Sequence, residues 1–227
     1  MTKRLNGLGV DYEITDAVDG KTVDLSDLNG RLRQDIARQR HGRDLLPAEI
    51  GCYLSHYNLW QRLADEKIES AIIVEDDATF SADFFSIVAA SLRMPYDWDV
   101  IILHTAKKKN GAMLYNIDDK YHIIRGNRII AGTAGYLISA SGVARLLKYC
   151  HIINSPIDIA YSEYWLNGSK HYAVCPRVVI EDETESTINS QPFSRRGFAS
   201  KVWRRRQKIA IKIYNWRNPL PSQPKTP

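Results

Sequence analysis

The chain has 227 residues, enough for one well-packed domain, and with 44% apolar and 25% charged residues it has the composition of an ordinary soluble globular protein. Its three cysteines show no C-x-x-C spacing, which argues against a disulfide framework and a structural zinc site; they read as buried thiols in a reducing compartment. Of the net charge of +5, nine Lys or Arg and no acid fall between Ser194 and Arg217, leaving −4 for the remainder, so the basic balance belongs to the tail and gives no case for nucleic-acid binding by the body.

Met1-Thr2-Lys3-Arg4 is followed by no apolar core segment, and no apolar run approaches a membrane span. The chain therefore reads as lacking a signal peptide, with its site on the cytoplasmic side. Tyr12-Glu13-Ile14 predicts a short strand running through Asp16-Ala17-Val18-Asp19-Gly20 into an Asp-Gly turn, and the polar stretch from Lys21 to Asp44 predicts surface loop and short helix. Pro47 opens a periodic segment with Ile50, Tyr53, Leu54, Tyr57, Trp60 and Leu63 three or four apart and Glu49 in the first turn, a helix packed on a sheet. Ala71 to Val74 is the next strand, followed by a helix from about Ser81 to Leu92. A strand over Asp99 to His104, the lysine turn 107–109 and a hairpin from Ala112 to Ile124 come after it.

Gly132-Thr133-Ala134-Gly135-Tyr136-Leu137-Ile138-Ser139 is a glycine-opened apolar strand that lets another group approach closely, and Ser141 caps the helix after it. Ser155-Pro156 starts a helix through Ile159 and Tyr164 that ends at Asn167-Gly168, and the strands Tyr172 to Val174 and Val178 to Ile180 close the body. Strands alternating with helices predict an α/β fold with a mostly parallel sheet. The division expected is a domain over 1–190 and a basic, Pro-ended segment over 191–227.

The strand Ala71 to Val74 ends in Glu75-Asp76-Asp77. Neighbouring carboxylates repel, which raises their pKa values or draws in a hard divalent cation, and the carboxyl end of a strand is where open α/β sheets bind ligands. A metal held by one or two carboxylates keeps positions free for substrate phosphates, so the tip reads either as a phosphate-ester or diphosphate site or as a solvated acidic turn.

Four motifs in this order remove that ambiguity: Ala48-Glu49-Ile50-Gly51-Cys52-Tyr53-Leu54-Ser55-His56 with Trp60; Ile73-Val74-Glu75-Asp76-Asp77; Gly132 to Ser139; and Pro156-Ile157-Asp158. Together they resemble glycosyltransferase family 25, over roughly Asp16 to Ile188. The resemblance implies a GT-A-like, Rossmann-related nucleotide-sugar fold and an inverting transfer of a hexose, commonly galactose, from a UDP-sugar to a lipooligosaccharide, lipopolysaccharide or related glycan. It implies a DxD-type role for the acidic triplet, with Asp77 and Asp76 as ligands of Mn²⁺ (or Mg²⁺) and Glu75 or Asp76 on the nucleotide side. Ala17, Val18, Asp19, Gly132 and Thr133 then fall at the donor.

An inverting displacement needs a base for the acceptor hydroxyl, and Asp158, in the first turn after Pro156, is the candidate beside Asp182 and Asp99; its plain alternative is a helix-terminus acid. His56 and His104 read as contacts to the diphosphate or metal, or as buried structural histidines. Family members usually begin with an apolar strand that is missing ahead of Lys3-Arg4-Leu5, which keeps open a non-catalytic nucleotide-sugar-binding relative. On a helix, Phe198, Val202, Ile209, Ile213 and Trp216 form one apolar stripe among cations, the pattern of an interfacial helix on anionic lipid, each basic residue contributing on the order of 1 kcal/mol, with packing on the body or binding RNA as the alternatives. The expected partners are a nucleotide-sugar donor, a glycan or lipid-linked glycan acceptor and an anionic membrane surface through 194–217, with no nucleic acid, and the expected location is peripheral on the inner face of the cytoplasmic membrane.

Overall fold

A computed structural model describes residues 11–104, 111–127, 130–181 and 198–221. After a 3₁₀ turn at Leu25–Leu28 come helices α1 (Gln34–His41) and α2 (Pro47–Asp65), strands β1 (Ser70–Val74) and β2 (Ala78–Phe80), and helix α3 (Phe84–Leu92). Strands β3 (Val100–Ile102), β4 (Gly111–Asn116), β5 (His122–Gly126) and β6 (Gly135–Ser139) follow, then helices α4 (Ala140–Tyr149), α5 (Ile157–Tyr161) and α6 (Tyr164–Asn167). Strands β7 (His171–Cys175) and β8 (Val179–Glu181) and the long helix α7 (Phe198–Arg217) complete the order. The lysine turn 107–109, the alternative base Asp182 and the segment around 185–188 lie outside the described residues.

Six strands form one sheet in the order β1-β6-β3-β7-β5-β4, and β2 pairs with β8 in a small second sheet. The fold is mixed α/β, but the expected mostly parallel sheet is not what forms: of the five pairings in the main sheet only β3 with β7 is parallel. The reason is in the connections. Between β3 and β6 the described chain offers a β4–β5 hairpin and no helix, and strands joined without a crossover helix pair antiparallel. β6 then inserts between β1 and β3, antiparallel to both.

Both faces of the sheet are covered, which is why its central strands read as unbroken apolar runs. Val100, Ile102, Tyr136, Ile138, Ala173 and Cys175 face one core with Tyr53, Tyr57 and Trp60 of α2. Their neighbours Ile101, Leu103, Leu137, Tyr172 and Val174 face the other, with Phe84, Ile87 and Val88 of α3. α2 starts where its sequence says it should. Pro47 occupies the first turn, and the Glu49 carboxylate reaches back to accept from the Leu46 N–H at 2.8 Å while a two-pronged Arg43 holds it at 2.6 and 2.7 Å.

Three local expectations shift. No strand forms at Tyr12 to Ile14. α4 is capped by Ser139, whose hydroxyl accepts from the Gly142 N–H at 3.1 Å, rather than by Ser141. The helix expected from Ser155 to Asn167 is broken at Ser162-Glu163, where the Ser162 hydroxyl donates to the Ile130 carbonyl at 2.7 Å and the fully buried Glu163 turns inward to Arg40.

Candidate functional site

The four sequence motifs meet at the carboxyl end of β1. Glu75 leaves the strand with its N–H donating to the Ala134 carbonyl at 3.1 Å, and the Ala78 N–H closes a turn onto the Glu75 carbonyl at 3.2 Å. Glu75, Asp76 and Asp77 are therefore the first three residues of one tight turn, with Asp76 exposed and Glu75 and Asp77 half-buried. α2 runs beside this turn and presents Cys52 and His56, one helical turn apart, toward it. The segment Ala17-Val18-Asp19-Gly20 lies along the same stretch of α2: the Val18 N–H donates to the Ser55 hydroxyl at 2.8 Å, and Gly20 packs so closely that a Cβ there would stand 1.7 Å from the Pro47 carbonyl oxygen. Ala17 and Asp19 are exposed on this segment, and Val18 is half-buried.

A directional hydrogen-bond chain ends on Glu75. Trp60 Nε1, which can only donate, gives its proton to the Tyr136 hydroxyl at 3.0 Å, and that hydroxyl stands 2.8 Å from His56 Nδ1. Tyr136 is fully buried, so its own O–H must donate, and His56 Nδ1 is the acceptor at hand. The neutral imidazole then carries its proton on Nε2, 3.3 Å from Glu75 Oε1. Thr133 donates to the same oxygen at 2.5 Å. Burial pushes the Glu75 pKa up, but the hydrogen bonds from His56 and Thr133 outweigh it and the net shift is downward. Glu75 is a carboxylate fixed through one oxygen by two donors.

Asp158 answers it across the glycine segment. One of its oxygens accepts from the Gly132 N–H at 3.1 Å and the other from the Ile159 N–H at 2.8 Å. Gly132 is held at its other end by Tyr161, whose hydroxyl donates to the Gly132 carbonyl at 2.7 Å. With φ at 110°, this residue occupies a region of backbone space that L side chains avoid, so only glycine fits the clasp. Burial raises the Asp158 pKa above the ordinary carboxylate range against the pull of the two N–H donors, and the negative charges of Glu49 and Glu75 push the same way.

His104 and Asp99 both make contacts that tie elements together. His104 is buried and bridges the loop to β6, with Nδ1 3.0 Å from the Gly135 carbonyl oxygen and Nε2 3.3 Å from that of Ala131. Asp99 sits at the opposite end of β3, buried, and accepts from the Ser141 hydroxyl and from the Lys170 N–H at 2.7 Å, with Arg145 at 3.2 Å; every one of these contacts ties elements together. A cavity of about 410 Å³ also opens at that far end, between Tyr96, Arg125, Lys170, Tyr172 and Tyr214. It lies away from the acidic turn and carries no carboxylate cluster.

The donor chemistry of the turn discriminates between metals. Cys52, His56 and Glu75 bring ligand atoms within 4.8 Å of one another, a set that on composition alone would suit a thiophilic ion. Burial and the nearby Glu75 charge push the Cys52 thiol up to about 12, so it stays protonated, and His56 spends its Nε2 proton on Glu75. The oxygen donors at hand are the Glu75 carboxylate and, next to it in the chain, Asp76 and Asp77, a donor type that suits a hard cation such as Mg²⁺ or Mn²⁺, although among the described residues the three carboxylates do not bring ligand atoms within 4.8 Å of one another. Sequence reasoning missed Cys52 and Tyr136 as neighbours of this site. The i, i+4 placement of Cys52 and His56 on α2 was the signal for the first; none marked Tyr136.

Carboxylates and a glycine clasp at the carboxyl end of a strand, backed by a helix and with both sheet faces covered, define an α/β protein whose candidate site lies where open α/β sheets bind ligands. The sequence profile of glycosyltransferase family 25 (LPS biosynthesis protein) matches residues 1–161, so the chain belongs to that family. Among its relatives, Procollagen galactosyltransferase 1-A of Xenopus laevis is 32% identical over 207 residues, covering 83% of this chain and 32% of the relative. A glycosyltransferase 25 family member of Aedes aegypti is 32% identical over 158 residues, 65% of this chain and 25% of its own. Procollagen galactosyltransferase 2 of Homo sapiens is 27% identical over 253 residues, 93% of this chain and 39% of its own. The chain thus spans between a quarter and two fifths of the length of these relatives.

Proposed function

We propose that this chain is a metal-assisted, inverting hexosyltransferase on a GT-A-like fold, moving galactose from a UDP-sugar to a hydroxyl of a lipopolysaccharide, lipooligosaccharide or related glycan. The observation that carries the reading is the pairing of two carboxylates pushed apart in basicity around one glycine clasp: Glu75 lowered and fixed, Asp158 raised. Membership of glycosyltransferase family 25 and the galactosyltransferase names of its relatives support the donor and the reaction class.

Each residue then has a task. Asp158 takes the proton of the acceptor hydroxyl as that oxygen bonds to the anomeric carbon and the bond from this carbon to the diphosphate oxygen breaks, the electron pair leaving with the nucleoside diphosphate. Its raised pKa makes it a stronger base than an ordinary aspartate. Glu75, with Asp76 and Asp77 beside it in the chain, would hold a Mn²⁺ or Mg²⁺ ion, which would supply positive charge for the departing diphosphate. His56 and Thr133 keep Glu75 ionised and oriented. Val18, Asp19 and Gly132 to Thr133 provide backbone close enough to α2 and the turn to wall a nucleotide-sugar pocket.

The test is UDP release from UDP-galactose with Mn²⁺, with and without EDTA, for the full chain, Glu75→Gln and Asp158→Asn. Turnover that needs the metal and falls by on the order of 10³-fold in either variant is the expected result. Unchanged turnover in both variants would refute the assignment.

A further inference from the structure

The helix α7 has two apolar faces that point in opposite directions. Residues three, four and seven apart share a side of a helix, which puts Trp203, Gln207, Ile211 and Tyr214 on one side and Val202, Ile209, Ile213 and Trp216 on the other. The first face is docked. The Trp203 ring lies 4.9 Å from the Arg40 guanidinium and 5.3 Å from the His41 ring, Ile211 is 1% exposed, and Tyr214 meets Tyr164 of α6 edge-on at 5.4 Å. Asn215 adds a 3.4 Å bond from its side-chain N–H to the Gly126 carbonyl. The rotation of the helix about its own axis is thereby fixed.

With that face docked, the opposite one looks outward. Ile209 is 51% exposed, Ile213 46% and Trp216 80%. Lys201, Arg205, Arg206, Lys208, Lys212 and Arg217 are all exposed, Arg205 and Lys212 flanking the apolar row on one side and Arg206 and Arg217 on the other. No Asp or Glu occurs between residues 198 and 221. None of the described helices is long and apolar enough to cross a membrane.

We infer that the outward face of α7 is a docking surface for an anionic phospholipid bilayer, lying in the plane of the interface with Ile209, Ile213 and Trp216 sunk among the acyl chains and the flanking cations at the headgroups. Two features select lipid. A row of two isoleucines and a tryptophan loses its exposure only against an apolar medium, and a bilayer supplies that medium bordered by negative charge, matching the apolar centre and basic margins of the helix. A nucleic-acid backbone would satisfy the cations and leave the row in water. This inference does not depend on the catalytic reading, because none of these side chains belongs to the site at Glu75 and Asp158.

The experiment is sedimentation of the full chain with vesicles of phosphatidylcholine alone and of phosphatidylcholine mixed with phosphatidylglycerol, in low and high salt, beside binding to poly(U) RNA. The expected result is partition onto the mixed vesicles that weakens with salt. Ile209→Ser/Ile213→Ser/Trp216→Ser should weaken it by on the order of 100-fold, since three apolar side chains lose their burial. Arg205→Gln/Lys212→Gln/Arg217→Gln should erase the preference for phosphatidylglycerol. All substituted side chains point away from the body, so an unchanged far-UV spectrum and melting temperature establish that each variant is folded. The inference is overturned if the full chain ignores both vesicle types, if the folded triple-serine variant binds them as well as the parent, or if the chain binds poly(U) and not vesicles.

Discussion

Replacing Tyr136 by Phe deletes one oxygen and cuts the chain that ends on Glu75 at its middle. The hydroxyl accepts from Trp60 Nε1 at 3.0 Å and meets His56 Nδ1 at 2.8 Å, and Tyr136 and Trp60 are fully buried. Phe therefore strands two buried polar atoms that no water reaches, at about 1–3 kcal/mol each, so the expected loss is about 2–6 kcal/mol. For a chain of this size that corresponds to a fall in melting temperature of roughly 4–24 °C by calorimetry. A second readout separates the chain from ordinary packing. In the parent protein, ¹⁵N NMR of His56 should show the ring protonated on Nε2; in Tyr136→Phe the Nε2 proton should stay on the Glu75 side while the Nδ1 resonance shifts, because that nitrogen has lost its hydrogen-bond donor. A variant melting within about 2 °C of the parent, or a parent His56 protonated on Nδ1, would refute the reasoning.

Gly132→Ala forces a side chain into a φ of 110° and should cost on the order of 1–2 kcal/mol of stability by denaturant titration. It should lower UDP release at least tenfold, since the same residue spans Asp158 and Tyr161. Thr133→Val removes one of the two donors on Glu75 Oε1. A carboxylate held below its unfolded pKa stabilises the fold above that unfolded value and loses the contribution as pH falls through the folded one, so the variant should reach its acid-unfolding midpoint at higher pH than the parent, read by circular dichroism. Arg40→Met leaves the fully buried Glu163 carboxylate with the Tyr149 hydroxyl at 2.7 Å but without its cation, and about 3–5 kcal/mol of destabilisation is expected in urea unfolding.

What the sequence made legible were features whose physics is local, and what it hid were pairings of distant residues. Pro47 with Glu49, the apolar period of α2 and the acidic end of β1 each announce themselves within a few residues, and they made His56 and Glu75 candidates for one site before any coordinates. The polarity of the sheet is not local. Whether β6 enters parallel or antiparallel depends on the route from β3, and an apolar five-residue run looks the same in both directions. Likewise His56 and Tyr136 are 80 residues apart, and Arg40 and Glu163 are 123 apart, so nothing near either partner says that it is paired.

Helix α7 shows the difference within one element. Its period distinguishes two apolar faces, but only the position of Trp203 against Arg40 and His41 decides which face is core and which is surface. That contact also has a reach. His41 Nε2 lies 2.9 Å from the Ser155 hydroxyl, and Arg40 bonds Asn154 and Glu163, so the ring of Trp203 presses on the two residues that hold both ends of the segment carrying Asp158. A helix bound to one surface through its outer face and to this segment through its inner one joins whatever it lies on to the base of the candidate site through a single packed layer.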